Sequence, residues 1–223
     1  MQEYRLVFED RHLFVYIEDR KWLLDTGAPR SFGNIQSINI GNREFSLTDN
    51  FMGMNSQKLS DFFKCPINGI IGVDILNNYD VIIDVPTGKI SFSDEQIDFS
   101  GIVIPLELIM GIPLFKVEIL GQEHRMFFDT GAQISFFENQ NLKSFPDAGL
   151  FDDFHPSIGE FQVQTYRVAL QLGSVTHIVQ CGSLPDVLGN MINFAGAEGV
   201  IGNEIIKDRK IGYLPRRGEI VLA

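Results

Sequence analysis

The sequence is poor in the residues that build disulfide scaffolds and metal sites. It has two cysteines in 223 residues, Cys65 and Cys181, and four histidines. Small secreted domains carry more cysteines, usually in pairs, so two distant thiols fit a reducing compartment, although a disulfide between them stays open. The histidines show no metal-ligand spacing with one another or with the cysteines. The sequence therefore predicts no metal and no cofactor.

Long apolar runs and basic clusters are also missing. No run approaches the roughly 20 apolar residues of a membrane-spanning helix. Residues 1–6 lack the basic region and apolar core of a signal peptide, so we expect a cytoplasmic protein with no membrane partner. The formal net charge is -11 at pH 7, and an acidic surface repels phosphate backbones, so nucleic acid is not expected as a partner.

Helical periodicity is scarce along the whole chain. Phenylalanine, with 19 copies, occurs in short runs with Ile, Val and Leu that are punctuated by glycine. Such runs favour strands over long helices. The sequence therefore predicts a mainly β fold, with short helices near residues 73–78 and 203–208.

The chain contains an internal duplication. Residues 22–32 recur as residues 126–136 at an offset of 104, with Asp, Thr, Gly, Ala, Ser and Phe identical in place. Residues 68–76 recur as residues 198–206 at an offset of 130, so the second copy has an insertion of 26 residues between its two blocks. Repeated blocks in the same order indicate two related structural units.

The order of the blocks divides the chain into two halves, which we expect to form two lobes. The first half is residues 1–95 and the second half is residues 96–223. In each half, the segment before the first block has the pattern of a strand, a turn and a second strand. The seam falls in a polar stretch near residues 94–100.

The repeated tetrapeptide Asp-Thr-Gly-Ala begins at Asp25 and at Asp129. A single copy is most simply a turn, capped by Asp and closed by Gly at positive φ. Two copies indicate more, because related lobes can bring equivalent loops face to face. Two adjacent carboxyls cannot both ionise without a large penalty, so they share a proton. Such a pair can act as general base and general acid on a bound water.

These residues resemble the aspartic proteases, in both the pepsin-like and the retroviral branches. The family pattern is two or three apolar residues, Asp-Thr/Ser-Gly, then Ser, Thr or Ala, with an apolar-apolar-Gly element later in the same lobe. Here that element is residues 70–72 in the first half and residues 200–202 in the second. The resemblance implies a bilobal fold of two pseudo-twofold-related β lobes, with a short helix after each apolar-apolar-Gly element.

The resemblance implies an endopeptidase in which Asp25 and Asp129 are catalytic. A Ser or Thr in place of Ala28 and Ala132 could donate to the carboxylates and lower their pKa. We therefore expect the pair to titrate higher, with activity from mildly acidic to near-neutral pH. The residues implied to support the catalytic loops are Thr26, Gly27, Ala28, Thr130, Gly131 and Ala132, and those of the apolar-apolar-Gly elements are Ile71, Gly72, Ile201 and Gly202.

Aspartic proteases close a flap over the peptide, and pepsin-like members have a Tyr near its tip. No Tyr lies between Asp25 and Gly72. The candidate flaps are residues 50–54, residues 39–46 and residues 155–159, any of which could equally be an ordinary loop. The main alternative function is therefore a catalytically silent protein of the same fold that binds peptides.

In either case the expected partner is a peptide or protein in the cleft between the lobes, and the chain is expected to be a monomer. The remaining conspicuous residues receive structural interpretations. Trp22 is expected in the core. We expect Asp80 and Asp84 to be solvated or turn residues and His155 to be a turn residue, rather than catalytic groups.

Overall fold

The computed structural model describes residues 1–138, 140–155 and 158–223, with 53% of residues in strands and 14% in helices. This confirms the prediction of a mainly β fold. The strands of the first half are β1 (Gln2–Glu9), β2 (His12–Ile17), β3 (Arg20–Leu24), β4 (Phe32–Gly33), β5 (Ser37–Ile40), β6 (Arg43–Ser46), β7 (Asn50–Phe51), β8 (Met54–Asn55), β9 (Gly69–Ile71), β10 (Asp80–Asp84) and β11 (Lys89–Ser93). Those of the second half are β12 (Ile102–Pro105), β13 (Glu107–Ile109), β14 (Ile112–Ile119), β15 (Gln122–Phe128), β16 (Ser135–Phe137), β17 (Asp147–His155), β18 (Gly159–Leu172), β19 (Val175–Gly182), β20 (Gly199–Ile201), β21 (Lys210–Leu214) and β22 (Glu219–Leu222).

The helices are short, and the described residues contain none long and apolar enough to cross a membrane. The two helices expected after the apolar-apolar-Gly elements are present but shorter than predicted, as an α-helix at Val73–Leu76 and a 3₁₀ segment at Asn203–Ile205. The other two α-helices were not predicted from the sequence. The α-helices are α1 (Ser56–Phe63), α2 (Val73–Leu76) and α3 (Asp186–Phe194), and the 3₁₀ segments are Gln140–Ser144, Asn203–Ile205 and Pro215–Arg217.

The same arrangement of three strands occurs once in each half. In the first half β9 lies between β3, to which it is parallel, and β4, to which it is antiparallel. In the second half β20 has the same relation to β15 and β16. The chain leaves β3 and β15 directly into the two Asp-Thr-Gly-Ala segments, so the repeated strands hold the repeated loops in equivalent positions.

The two halves share a sheet. The ten-stranded sheet has the order β12-β22-β21-β10-β11-β1-β2-β3-β9-β4, so three of its strands come from the second half. The contact is the antiparallel pairing of β10 with β21. The eight-stranded sheet, β13-β14-β15-β20-β16-β19-β18-β17, belongs to the second half alone. Backbone hydrogen bonds therefore join the halves, and the boundary at residue 95 stays a prediction.

The apolar core follows the sheets. One large buried cluster contains residues of both halves, among them Trp22, which is fully buried as expected. Both cysteines are free, so no disulfide joins Cys65 to Cys181. Two smaller clusters lie one in each half. The first-half cluster is Phe14, Leu23, Phe32, Met54, Leu59, Ile67 and Ile70, and the second-half cluster is Leu114, Phe127, Ile134, Phe136, Ala197 and Val200.

The expectation of a solvated or turn position for Asp80 is wrong. Its side chain is 0% exposed on β10, and it is paired with two arginines near the C-terminus. Arg216 donates to Oδ1 of Asp80 from Nε at 3.1 Å and from Nη2 at 2.8 Å. A buried carboxylate needs such partners because desolvation penalises an unpaired charge. Asp84, by contrast, accepts from the amide of Thr87 in a turn, as expected.

Breaking this ion pair should destabilise the whole chain. Arg216→Ala leaves a fully buried Asp80 with one more distant arginine, and we expect the free energy of unfolding to fall by about 3–5 kcal/mol. Arg20→Ala is the control, because Arg20 pairs with Glu18 at the surface, and we expect a change below about 1 kcal/mol. Urea denaturation measures both. Equal, small effects for the two variants would contradict a structural role for the Asp80 pair.

Candidate active site

The two Asp-Thr-Gly-Ala loops meet tip to tip. Each aspartate lies against the glycine of the opposite loop. A Cβ added to Gly27 would be 2.3 Å from Cγ of Asp129, and one added to Gly131 would be 2.7 Å from Cγ of Asp25. Only glycine leaves room for this approach, so the two carboxyl groups that the sequence singled out lie at one site.

Each carboxyl group is held by the backbone of its own loop. The amides of Gly27 and Ala28 both donate to Oδ1 of Asp25 at 2.9 Å. The amides of Gly131 and Ala132 donate to Oδ1 of Asp129 at 2.8 Å and 3.2 Å. These bonds fix one oxygen of each carboxyl group and leave the other available to the opposite loop or to a ligand.

The threonines of the two loops form a reciprocal set of hydrogen bonds. The amide of Thr26 donates to Oγ1 of Thr130 at 3.0 Å, and the amide of Thr130 donates to Oγ1 of Thr26 at 2.9 Å. Each hydroxyl then donates to a carbonyl across the interface, that of Thr26 to Phe128 and that of Thr130 to Leu24, both at 2.8 Å. Both threonine side chains are fully buried, so no water competes for these bonds.

The apolar-apolar-Gly strands support the loops from behind. The amide of Asp25 donates to the carbonyl of Ile71, and that of Asp129 to the carbonyl of Ile201, each at 3.0 Å. Both isoleucines are fully buried. A Cβ on Gly72 would lie 2.5 Å from the carbonyl oxygen of Ala28, so any larger residue would push the strand away from the loop.

Gly202 is equally constrained in the second half, where a Cβ would lie 2.5 Å from the carbonyl oxygen of Ile134. Every residue that the sequence analysis named for these loops and strands therefore lies in one connected structure around Asp25 and Asp129.

A second layer of polar contacts was missed by the sequence analysis. Ser31 accepts from the amide of Gly72 at 2.9 Å and donates to Oδ1 of Asp74 at 2.6 Å. In the second half Ser135 accepts from Gly202 at 3.2 Å. Glu204, at the position of Asp74, accepts instead from the amide of Gln180. The signal was available, because both serines and both acids fall inside the repeated blocks.

Burial and proximity shift the titration of the two aspartates. Both are half-buried. Desolvation, the charge of Asp129 and a hydrogen bond with it raise the pKa of Asp25 well above its ordinary value. Desolvation also raises the pKa of Asp129, but the loop amides and the hydrogen bond from Asp25 oppose this shift. The pair therefore retains one proton to higher pH than an isolated carboxyl group would.

A long hairpin of the second half, formed by β17 and β18, reaches this site. Asp153 and His155 on β17 interact electrostatically with Asp129. Burial, and to a smaller extent the charge of Asp129, raises the pKa of Asp153 to about 6, although the amide of Phe154 donates to its Oδ1. Burial lowers the pKa of His155. The sequence predicted His155 to be a turn residue, whereas His155 is the last residue of β17 and lies beside the site. Asp153 was not predicted to belong to the site.

The three candidate flaps belong to three different hairpins. Residues 39–46 form the β5–β6 hairpin and residues 50–54 fall in the very short β7–β8 hairpin. The main influences on the pKa of Asp25 and Asp129 come from other residues. The candidate at residues 155–159 is the end of the long hairpin, and its Pro156 and Ser157 lie outside the described residues.

Comparison with models of known protein families and with curated proteins gives no match for this chain. The chemistry of the site is therefore argued from its own geometry. Among the described residues, no group of three or more His, Cys, Asp or Glu side chains is arranged to hold a metal ion. The site offers two adjacent carboxyl groups that share a proton, rigidly oriented and partly open to a ligand.

The threonine bonds should be a major source of stability at the junction of the halves. In Thr26→Val the amide of Thr130 and the carbonyl of Phe128 lose their partners while staying buried. We expect the free energy of unfolding to fall by about 2–4 kcal/mol. Thr26→Ser retains the hydroxyl and should lose less than half as much. Guanidinium denaturation compares the two, and similar losses would mean that packing of the methyl group, not hydrogen bonding, matters at this position.

Ionisation of Asp153 should lower the free energy of unfolding as the pH rises. Because its pKa is raised in the folded protein, the native state binds more protons than the unfolded state between pH 4 and about 6. Asp153→Asn removes this dependence. Relative to wild type, we expect the variant to be unchanged near pH 3.5 and more stable by about 2–3 kcal/mol at pH 7.

Asp152→Asn is the matched control, because Asp152 is the exposed neighbour of Asp153 on β17. Thermal or urea denaturation across this pH range measures both variants. A stability difference for Asp153→Asn that does not vary with pH would contradict a pKa raised by burial of this carboxyl group.

Proposed function

We propose that this chain is an aspartic endopeptidase with the bilobal pepsin/retropepsin-like fold, and that Asp25 and Asp129 are its catalytic pair. The main support for the proposal is the close approach of the two repeated loops, which are joined by the hydrogen bonds of Thr26 and Thr130. Two related lobes facing each other across a pseudo-twofold axis account for the paired geometry. They also account for the recurrence of the β3-β9-β4 arrangement as β15-β20-β16.

The shared proton gives the two members of the pair different roles in the proposed reaction. Asp129, ionised, takes a proton from a water bound between the carboxyl groups, and the water oxygen attacks the carbonyl carbon of the peptide. Asp25, protonated, donates to the carbonyl oxygen, which gives a tetrahedral diol. The proton held by Asp129 then passes to the amide nitrogen as the C–N bond breaks, and a diol hydroxyl returns a proton to Asp25. One water is consumed and the pair regains its starting state.

The substrate class follows from the shape of such a cleft. A peptide between two lobes and a hairpin lies extended, because that conformation exposes backbone groups for hydrogen bonding on both sides. The first-half and second-half clusters line the loops with apolar side chains, and Leu23 and Phe127 come two residues before the aspartates. The proposed substrates are therefore peptides or unfolded protein segments with apolar residues beside the bond that is cut.

A catalytically silent peptide-binding protein is the alternative. It would keep the loops and the cleft but would lack a competent pair. Both carboxyl groups and all four amide donors to them are present, and these contacts favour the enzyme. Cleavage that depends on both aspartates separates the two functions.

The decisive test is cleavage of a complex peptide library, read by mass spectrometry. We expect Asp25→Asn and Asp129→Asn each to reduce cleavage by at least 10³-fold, because either change removes the shared proton. Asp98→Asn, at an exposed position outside the site, is the control and should retain full activity. Absence of cleavage by folded wild-type protein at every pH would favour the silent alternative.

The pH dependence of the same reaction tests the assignment of the pair. Below the lower pKa of the pair both groups are protonated and no base is present, whereas above the higher pKa no acid is present. Because burial raises the pKa of both aspartates, we expect this window to lie at mildly acidic to near-neutral pH. Initial rates across pH 3 to 8 measure it, and an optimum below about 3 would reject the expected shift.

A further inference from the structure

Asn203 is a fully buried polar residue at the junction of the two halves. It directly follows Gly202 and is 0% exposed. Its Nδ2 donates to the carbonyl of Arg11 at 2.7 Å and to the carbonyl of Thr130 at 3.1 Å. Carbonyl oxygens only accept hydrogen bonds, so the nitrogen of the side-chain amide has to face them. Asn203 therefore joins the turn between β1 and β2 of the first half to the second Asp-Thr-Gly-Ala loop.

Stability alone gives no reason for an asparagine at this position. Oδ1 of Asn203 is buried and has no hydrogen-bond partner among the described residues. A buried polar atom without a partner carries a free-energy penalty. The equivalent residue of the first half is Val73, which is 2% exposed and whose Cγ2 lies 3.5 Å from the place of a Cβ on Gly111, in the turn between β13 and β14. The duplication thus shows that an apolar side chain can occupy this position.

The hydrogen bonding of Asn203 continues to Asp129 through one peptide group. The carbonyl of Thr130 and the amide of Gly131 belong to the same peptide, and that amide donates to Oδ1 of Asp129 at 2.8 Å. A hydrogen bond to the carbonyl polarises the peptide and makes its N–H a better donor, because bonds in a chain strengthen one another. A stronger bond from Gly131 favours the ionised form of the carboxyl group.

The first half contains the same peptide group without the additional donor. The amide of Gly27 donates to Oδ1 of Asp25 at 2.9 Å. Within the part of the chain that the structure describes, no donor reaches the carbonyl of Thr26. Val73, in the place of Asn203, has no side-chain group that could donate. The two carboxyl groups hold equivalent positions in the duplication, and this hydrogen bond distinguishes their loops.

We propose that Asn203 is a positioning residue that places the negative charge of the singly protonated pair on Asp129 and its proton on Asp25. The side chain of Asn203 acts through the peptide between Thr130 and Gly131, since its hydrogen bonds go to that peptide and to Arg11. The proposal rests on the proposed function, because it assigns the base and the acid of that reaction. It also accounts for the retention of a buried oxygen without a partner.

Replacing Asn203 should move the first step of the titration. Polarisation strengthens a charge-assisted hydrogen bond by about 10–30%, which corresponds to roughly 0.1–0.7 pH unit. Asn203→Val, which introduces the residue of the first half, makes ionisation of Asp129 less favourable. Loss of the first proton then requires a higher pH. The second step changes less, because Asp129 is ionised before and after it.

Val73→Asn is the converse variant. It offers a donor to the carbonyl of Thr26 and so makes ionisation of Asp25 more favourable. Because Asp25 loses its proton in the second step, that step should move to lower pH by a similar amount, whereas the first step changes less. The two variants therefore act on different steps and in opposite directions.

Asn77→Val is the matched control. Asn77 also joins the halves, since its Nδ2 donates to the carbonyl of Gly111 at 2.8 Å and its Oδ1 accepts from the hydroxyl of Tyr213 at 2.6 Å. Neither partner belongs to an Asp-Thr-Gly-Ala loop. We expect Asn77→Val to weaken the contact between the halves and to leave both steps of the titration unchanged.

The other charged groups around the pair are the same in all of these variants. The guanidinium group of Arg11 is held by Glu204, at 3.5 Å. Their contribution therefore cancels when each variant is compared with wild type. The groups that interact electrostatically with Asp129 are Asp25, Asp153 and His155.

The test is ¹³C NMR of the full-length protein with labelled aspartate. The Cγ resonances of Asp25 and Asp129 are assigned by their absence from the spectra of Asp25→Asn and Asp129→Asn. Their chemical shifts are then followed over roughly pH 2 to 9 in wild type and in the three variants. We expect the lower step to rise in Asn203→Val, the higher step to fall in Val73→Asn, and neither step to move in Asn77→Val.

Unchanged steps in both Asn203→Val and Val73→Asn overturn the proposal, and so does an equal shift in Asn77→Val. If Asn203→Val does not fold, Val73→Asn decides alone. In the cleavage assay, Asn203→Val should move the acidic limb of the pH–rate profile upward, and Val73→Asn should move the alkaline limb downward. Because the NMR titration does not depend on hydrolysis, absence of cleavage counts against the proposed function and not against the placement of the charge.

Discussion

The reciprocal hydrogen bonds of Thr26 and Thr130 are the constraint on which the rest of the site depends. Each threonine satisfies a buried amide and a buried carbonyl of the opposite loop, so neither loop can keep its conformation without the other. Buried backbone groups that lose their partners carry a large free-energy penalty. The two loops therefore form one rigid unit, and the distance between Asp25 and Asp129 follows from it rather than from any attraction between carboxyl groups.

That rigidity has an electrostatic consequence. Two carboxyl groups brought together by the backbone cannot relax apart when both are ionised, so one of them keeps a proton. The loop amides of Gly131 and Ala132 oppose the rise in the pKa of Asp129. The amides of Gly27 and Ala28 oppose the rise at Asp25 in the same way, and burial outweighs the amides at both carboxyl groups. A nearly symmetrical scaffold thus holds one proton between two equivalent carboxyl groups.

The sequence predicted the centre of the site well because the duplication marks it. Asp25, Thr26, Gly72 and their second-half counterparts are recognisable as pairs, and each pair has the same partners in the structure. The long hairpin was less predictable, because its strands fall in the insertion that has no counterpart in the first half. Asp80 was misjudged for a related reason. Its partner Arg216 is far away in sequence, and only the pairing of β10 with β21 brings the two together.

The two halves are alike where they meet and different where they reach outward. The loops must match, because each completes the other's hydrogen bonds, and a change in one loop leaves buried groups of the opposite half unsatisfied. No hydrogen bonding of this kind requires the hairpins of the two halves to match. The second half contains the long strands β17 and β18, and Phe154 on β17 contacts Phe62 of the first half. Symmetry at the centre is thus combined with asymmetry at the edges, because the second half extends a long hairpin to the first half, whereas the first-half hairpins have strands of four and two residues.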